Sequence, residues 1–122
     1  MTHQWQPGQI FVFGSNLLGI HGAGAAKFAL ENCGATWGQE RGISGESYAL
    51  PTCSEPGVGL TLEDIARHVR TFMFVAMMTP DRTFFLTRIA CGFAGFTDAE
   101  IAPLFQPRLS NVIYPPEWDM FR

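Results

Sequence analysis

Short apolar runs alternate along the chain with glycine-rich segments and stretches of helical period. Gln9-Ile10-Phe11-Val12-Phe13 is a β-rich apolar run halted by Gly14, and it predicts a buried strand. Gly19-Ile20-His21-Gly22-Ala23-Gly24 follows, and then residues 25–33 are helix formers. Ala26, Ala29, Leu30 and Cys33 share one face there, and Gly34 supplies the stop. Residues 35–46 scatter Gly38, Gly42 and Gly45 among polar positions and predict an irregular loop. Ser47-Tyr48-Ala49-Leu50 predicts a short strand closed by Pro51.

The clearest helix spans 61–79. Thr61 can cap it, Glu63 and Asp64 suit the positive end of its dipole, and Leu62, Ile65, Val69, Phe72, Met73 and Ala76 form one apolar stripe. Pro80 ends it. Thr83-Phe84-Phe85-Leu86-Thr87 predicts the next strand, and a second glycine loop runs from Arg88 to Phe96. Thr97 with Glu100 has capping-box spacing, and Asn111-Val112-Ile113-Tyr114 predicts a last strand before Pro115-Pro116. Strands alternating with helices imply an α/β class, here a single domain over residues 1–122.

Composition narrows the picture. With 122 residues, 47% hydrophobic and 16% charged, the chain suits one domain with a real core rather than a disordered tail. The net charge is −3 and Lys27 is the only lysine, which argues against a broad nucleic-acid surface. No apolar run reaches the roughly 18 residues of a membrane span. The start has neither a basic segment nor a hydrophobic one of the secretory kind, and Cys33, Cys53 and Cys91 make neither a disulfide framework nor a zinc pattern. Both features predict a reducing cytoplasm. His3, His21 and His68 are too dispersed for metal-ligand spacing, so no metal and no cofactor is expected.

Each glycine loop lies between a predicted strand and a predicted helix. A strand-to-helix turn leaves unpaired N–H groups at the helix start, and an anion can approach them closely where side chains are missing, as at Gly22 and Gly24. In open α/β sheets such sites lie beyond the carboxyl ends of the strands, so two loops could hold a diphosphate between them. Neither loop is a P-loop or a GxGxxG fingerprint.

At these residues the chain resembles the macro domains, and the stretch FVFGSNLLGIHGAGAAKFAL is closer to small macro-domain-like proteins of bacteria and phages. Asn16 to Gly34 repeats the family's order of an asparagine, a glycine run and a helix ending near a glycine. Ile89-Ala90-Cys91-Gly92-Phe93-Ala94-Gly95-Phe96 is similar to its second ligand loop. The resemblance covers about residues 9–114. It implies a three-layer α/β/α domain with a mixed central sheet that binds ADP-ribose or a related nucleotide derived from NAD. Asn16 would then bond the distal ribose, Gly22 and Gly24 would line the ribose–diphosphate path, and the backbone of Cys91 to Gly95, Phe93 included, would wrap the diphosphate. Gly14, Ser15, His21, Ala23, Ala25, Arg88 and Ala90 complete the implied ligand set.

The chain departs from the family where catalysis is concerned. Ala26 stands where one hydrolytic class has an aspartate, and Ala94 stands near the aspartate of another and in place of an aromatic that presses on the ribose. The resemblance therefore implies binding ahead of turnover. The alternative is an ADP-ribosyl hydrolase acting on a modified macromolecule, with nucleic acid a partner only if ADP-ribosylated. Its base would come from His21, Asp98 or a water held by Asn16.

Several residues admit two readings. His21 is either a phosphate donor or base, or a hydrogen-bonded loop residue. Cys91 reads first as a small packed side chain and second as a nucleophile. Asp98 and Glu100 suit a helix start on dipole grounds alone. Arg88, ending a buried strand, needs either a carboxylate or a ligand phosphate. Trp37, Tyr48, Phe93 and Phe96 are candidate stacking surfaces for an adenine, while Trp118 and Phe121 either fold back on the core or form a homodimer contact.

Overall fold

A computed structural model of the chain describes residues 4–92 and 94–121, so His3 and Phe93 lie outside the described residues. The elements are strand β1 (Ile10–Asn16), helix α1 (Gly24–Asn32), β2 (Gly42–Ser44), β3 (Ser47–Glu55), β4 (Val58–Gly59), α2 (Leu62–Met77), β5 (Phe84–Leu86), α3 (Asp98–Ile101) and β6 (Val112–Ile113). Two 3-10 segments, Ala102–Phe105 and Pro116–Phe121, complete it. The sheet runs β2-β3-β1-β5-β6, with β4 paired to β3. Pairs β3/β1, β1/β5 and β5/β6 are parallel, whereas β2 and β4 join β3 antiparallel, so the domain is α/β with a mixed six-stranded sheet.

Alternation along β1 builds two cores. Ile10 and Val12 face the side covered by α2, where Ile65, Val69, Phe72 and Ala76 are buried with Trp118. Phe11 and Phe13 face the other side with Ala26, Ala29 and Cys33 of α1. The sheet is thus the middle of three layers. α2 forms where its stripe predicts, with the Thr61 side chain accepting from the Asp64 N–H at 3.1 Å. Each fully buried Ile, Val or Phe of that stripe contributes about 1.5–3 kcal/mol. Trp118 folds back onto the core, its ring 5.4 Å from that of Phe105.

Three sequence expectations are corrected. β1 does not stop at Gly14 but runs on to Asn16: a Cβ at Gly14 would stand 2.9 Å from Thr52 Oγ1, so its glycine serves close strand packing rather than termination. β3 does not close at Pro51. Phe11 N–H donates to Glu46 O, which turns the amide positions of Ser47, Ala49 and Pro51 away from β1. On that far side β2 ends against Ala49 and β4 begins at Cys53, so no ladder bond is asked of Pro51. A bulge follows at once, with Ser15 paired to Pro51 but Asn16 to Cys53. Third, the 35–46 segment is not wholly irregular, because Gly42–Ser44 adds an edge strand. Among the described residues no helix is long and apolar enough to cross a membrane.

Candidate functional site

The parallel strands β3, β1 and β5 deliver their carboxyl ends to one edge of the sheet, and a cavity of about 760 Å³ opens there. Gly14, Ser15 and Asn16 form part of its floor. The Asn16 side chain is turned into its own loop: Oδ1 accepts from Leu18 N–H at 3.2 Å and Ile20 N–H at 3.1 Å, and Nδ2 donates to Ile20 O at 2.8 Å. That shapes the approach to α1 and leaves the second amide hydrogen as the part of Asn16 able to serve a ligand. The Ser15 hydroxyl donates to Glu40 O, tying the same edge to the following segment.

α1 starts without a cap. Ala23 is extended (φ −155°, ψ 160°), has no side-chain acceptor to offer, and no acidic residue stands in the first turn. Gly22, Ala23, Gly24, Ala25 and Ala26 all line the cavity. The N–H groups of the first turn, which have no intrahelical acceptor, therefore stand beside it. By contrast α2 is capped by Thr61, and α3 by Thr97 in a full capping box with Glu100.

The second loop leaves β5 after Leu86. Thr87 Oγ1 donates to Val12 O at 2.7 Å and fixes the exit. Ala90 has φ 63°, the only non-glycine in the left-handed region among the described residues. Cys91 N–H donates to Arg88 O at 3.3 Å, Gly95 N–H to Gly92 O at 3.0 Å, and Phe96 N–H to Ala90 O at 2.9 Å. Those turn bonds engage the Cys91 and Gly95 amides that were expected to wrap a diphosphate. Gly92 and Ala94 line the cavity, whereas Ala90, Cys91 and Gly95 do not.

Arg88 is the one charged residue lining the cavity among the described residues. Its side chain is 46% exposed rather than buried, and its partners are carboxylates: Nε donates to Asp98 Oδ1 at 3.1 Å, Nη2 to Oδ2 at 2.6 Å, and Nη1 lies 3.8 Å from Glu117. Asp98 also accepts from Trp118 Nε1 at 2.7 Å. Hydrogen bonding from Arg88 holds the Asp98 carboxyl below the usual carboxylate range, so this acid is a poor proton acceptor and does not line the cavity. Burial, reinforced by Asp98, pushes the Cys91 thiol up to about 12, away from a thiolate nucleophile.

The structure also places His21 away from the cavity. It is 1% exposed, edge-on to Phe13 at 5.3 Å, with Nε2 3.1 Å from Gln39 O and Nδ1 buried without a hydrogen-bond partner. Of the expected stacking aromatics, Trp37 leans on His21 and Tyr48 on Phe72, while Phe96 packs against the α2-side core. Sequence reading missed two features. The β3–β4 hairpin supplies a further wall through Thr52, Cys53, Pro56 and Gly57; the Pro-Gly pair signals a turn, but nothing local places it at the cavity. A second groove of about 640 Å³, holding Trp5, Phe11, Phe28 and Phe85, shares Gly24, Ala25, Thr87 and Arg88 with the first. No group of three potential metal ligands occurs among the described residues. The chain matches no protein-family model, no curated protein and no solved structure.

Proposed function

We propose that this cavity binds a diphosphate-bearing nucleotide of the ADP-ribose type. The observation that carries the reading is the uncapped start of α1, whose first-turn amides stand beside a cavity lined by one arginine and by no carboxylate among the described residues. A helix N-terminus favours an anion by its dipole and its orphan N–H groups together, and here no side chain of the protein competes for them. The cavity volume falls within the roughly 300–1,000 Å³ of small-molecule sites, more than a lone phosphate needs. The adjoining groove offers Trp5 and Phe28 as aromatic surface for a base. Asn16 has one amide hydrogen for a ribose hydroxyl.

The proposal is of binding without turnover. Hydrolysis needs a proton acceptor near the scissile bond; the described lining of this cavity holds no carboxylate, histidine or lysine, and Glu117, on the adjoining groove, lies 3.8 Å from Arg88. His21 does not line the cavity, and Asp98 is bound by Arg88 and Trp118. Calorimetry against ADP-ribose, NAD, AMP and pyrophosphate tests the proposal. ADP-ribose should bind most tightly, and an ADP-ribosylated peptide should not be cleaved. Absence of heat and of thermal stabilisation with every adenine diphosphate at millimolar concentration refutes it.

A further inference from the structure

The hairpin wall meets the second loop at one point of close backbone contact. β4 is tied to β3 by Cys53 opposite Gly59 and by Leu60 N–H donating to Thr52 O at 2.9 Å. A Cβ built on Gly59 would lie 2.7 Å from Ala94 O and 3.2 Å from Ala94 Cα, both main-chain atoms, so only glycine lets the two segments touch. Pro56 and Gly57 at the hairpin tip and Ala94 across the contact all line the cavity. The second loop is also held by its own short turn bonds, by the Arg88–Asp98 pair and by the packing of Ile89, Ala90 and Phe96 on the α2-side core, so the Gly59–Ala94 contact is its tie to the hairpin wall.

We infer that the β3–β4 hairpin is a positioning element for the second loop, acting through the Gly59–Ala94 contact and so setting the span between that loop and the start of α1. The mechanical part of this inference stands on packing alone; its functional consequence rests on reading the cavity as a diphosphate site. A diphosphate must reach both the α1 amides and the second loop, whereas a monophosphate can be satisfied at α1. A displaced second loop therefore penalises the longer ligand selectively.

The variant Gly59→Ala tests both parts. Amide exchange is expected to quicken at Gly95 and Phe96, whose N–H groups close the turns of the second loop, while Lys27, bonded to Ala23 O at the start of α1, keeps its protection. ADP-ribose affinity should fall by about tenfold or more, with AMP within about twofold of wild type. Pro56→Gly, which slackens the turn without adding atoms against Ala94, gives the same test should Gly59→Ala not fold, and the same exchange pattern is expected of it. Unchanged exchange at Gly95 and Phe96, or an equal loss for ADP-ribose and AMP, overturns the inference. If wild type binds no adenine diphosphate, the nucleotide reading fails, and the exchange measurement still decides the coupling.

Discussion

Replacing Arg88 by methionine removes the one charge that the described residues place on the cavity wall and keeps most of the aliphatic stem. Two of the three guanidinium nitrogens are engaged by Asp98, and Nη1 lies 3.8 Å from Glu117, so a ligand phosphate gains at most one or two well-aimed donors. A hydrogen bond to a charged group is worth about 1.5–3 kcal/mol. Half exposure and the two neighbouring carboxylates place the effect at the lower end. The expectation is a loss of about tenfold in ADP-ribose affinity at low salt, narrowing as salt is raised. Stability should change far less, because exposed ion pairs contribute only about 0–1 kcal/mol. The pH dependence has a definite sign. Arg88 depresses the Asp98 pKa in the fold, so the pair's contribution is present above the unfolded value of about 4 and is lost as pH falls through the lower folded value. The stability gap between wild type and Arg88→Met should therefore close in that acid range. Calorimetric titration and denaturant melts from pH 7 to pH 2.5 give both readings. Wild-type ADP-ribose affinity in Arg88→Met would falsify the placement of phosphate beside this side chain.

Three further outcomes follow from the same geometry. Ala23→Asp puts a carboxylate at the open α1 start; its extended backbone accepts any residue, so thermal stability should hold or rise while nucleotide binding falls by about tenfold or more. Retained binding in a calorimetric titration contradicts the anion site. Ala90→Gly relieves a left-handed alanine whose strain is about 1–2 kcal/mol, partly offset by the flexibility glycine adds to the unfolded chain, so urea melts should show a gain of up to about 1 kcal/mol; a loss refutes that account. Cys91 and Cys33, their thiols pushed up to about 12 and about 11, should resist iodoacetamide at pH 8 in the folded protein and react once it is unfolded. Stoichiometric labelling of folded Cys91, read by mass spectrometry, counts against the burial argument.

Local pattern carried the parts of this structure that local forces decide. The stripe from Ile65 to Ala76 and the caps at Thr61 and Thr97 involve neighbours three or four residues apart, and the helices start where those residues stand. What stayed hidden depends on partners distant in sequence. Asp98 reads as a helix-start acid or a free base until Trp118, twenty residues on, is seen to donate to it. His21 reads as a loop ligand until Phe13 and the Gln39 carbonyl close over it. Pro51 reads as a strand end because its tolerance depends on how far β2 and β4 reach along β3. Much of the cavity floor could be named from its two glycine loops, whereas the hairpin wall and the Trp5 groove could not, since neither carries a signal of where it will pack.

The places where the chain forgoes local stability are not scattered. Replacing a good N-cap by alanine costs a helix about 1 kcal/mol, yet α1 opens on Ala23 while the two other α-helices open on threonine. Ala90 sits in a conformation that glycine would adopt more cheaply, one residue after Ile89 of the cavity wall and two before Gly92. Core demands do not explain Ala23, which is exposed to solvent. A cap hydroxyl or carboxylate at residue 23 would occupy the N–H groups that the proposed phosphate site draws on, so the same amides could not serve both the helix and such a ligand. An unfilled cap and a strained loop thus stand on adjacent strand ends beside one cavity, in a chain whose two other α-helices are capped, and that placement is the pattern on which the proposed anion site rests.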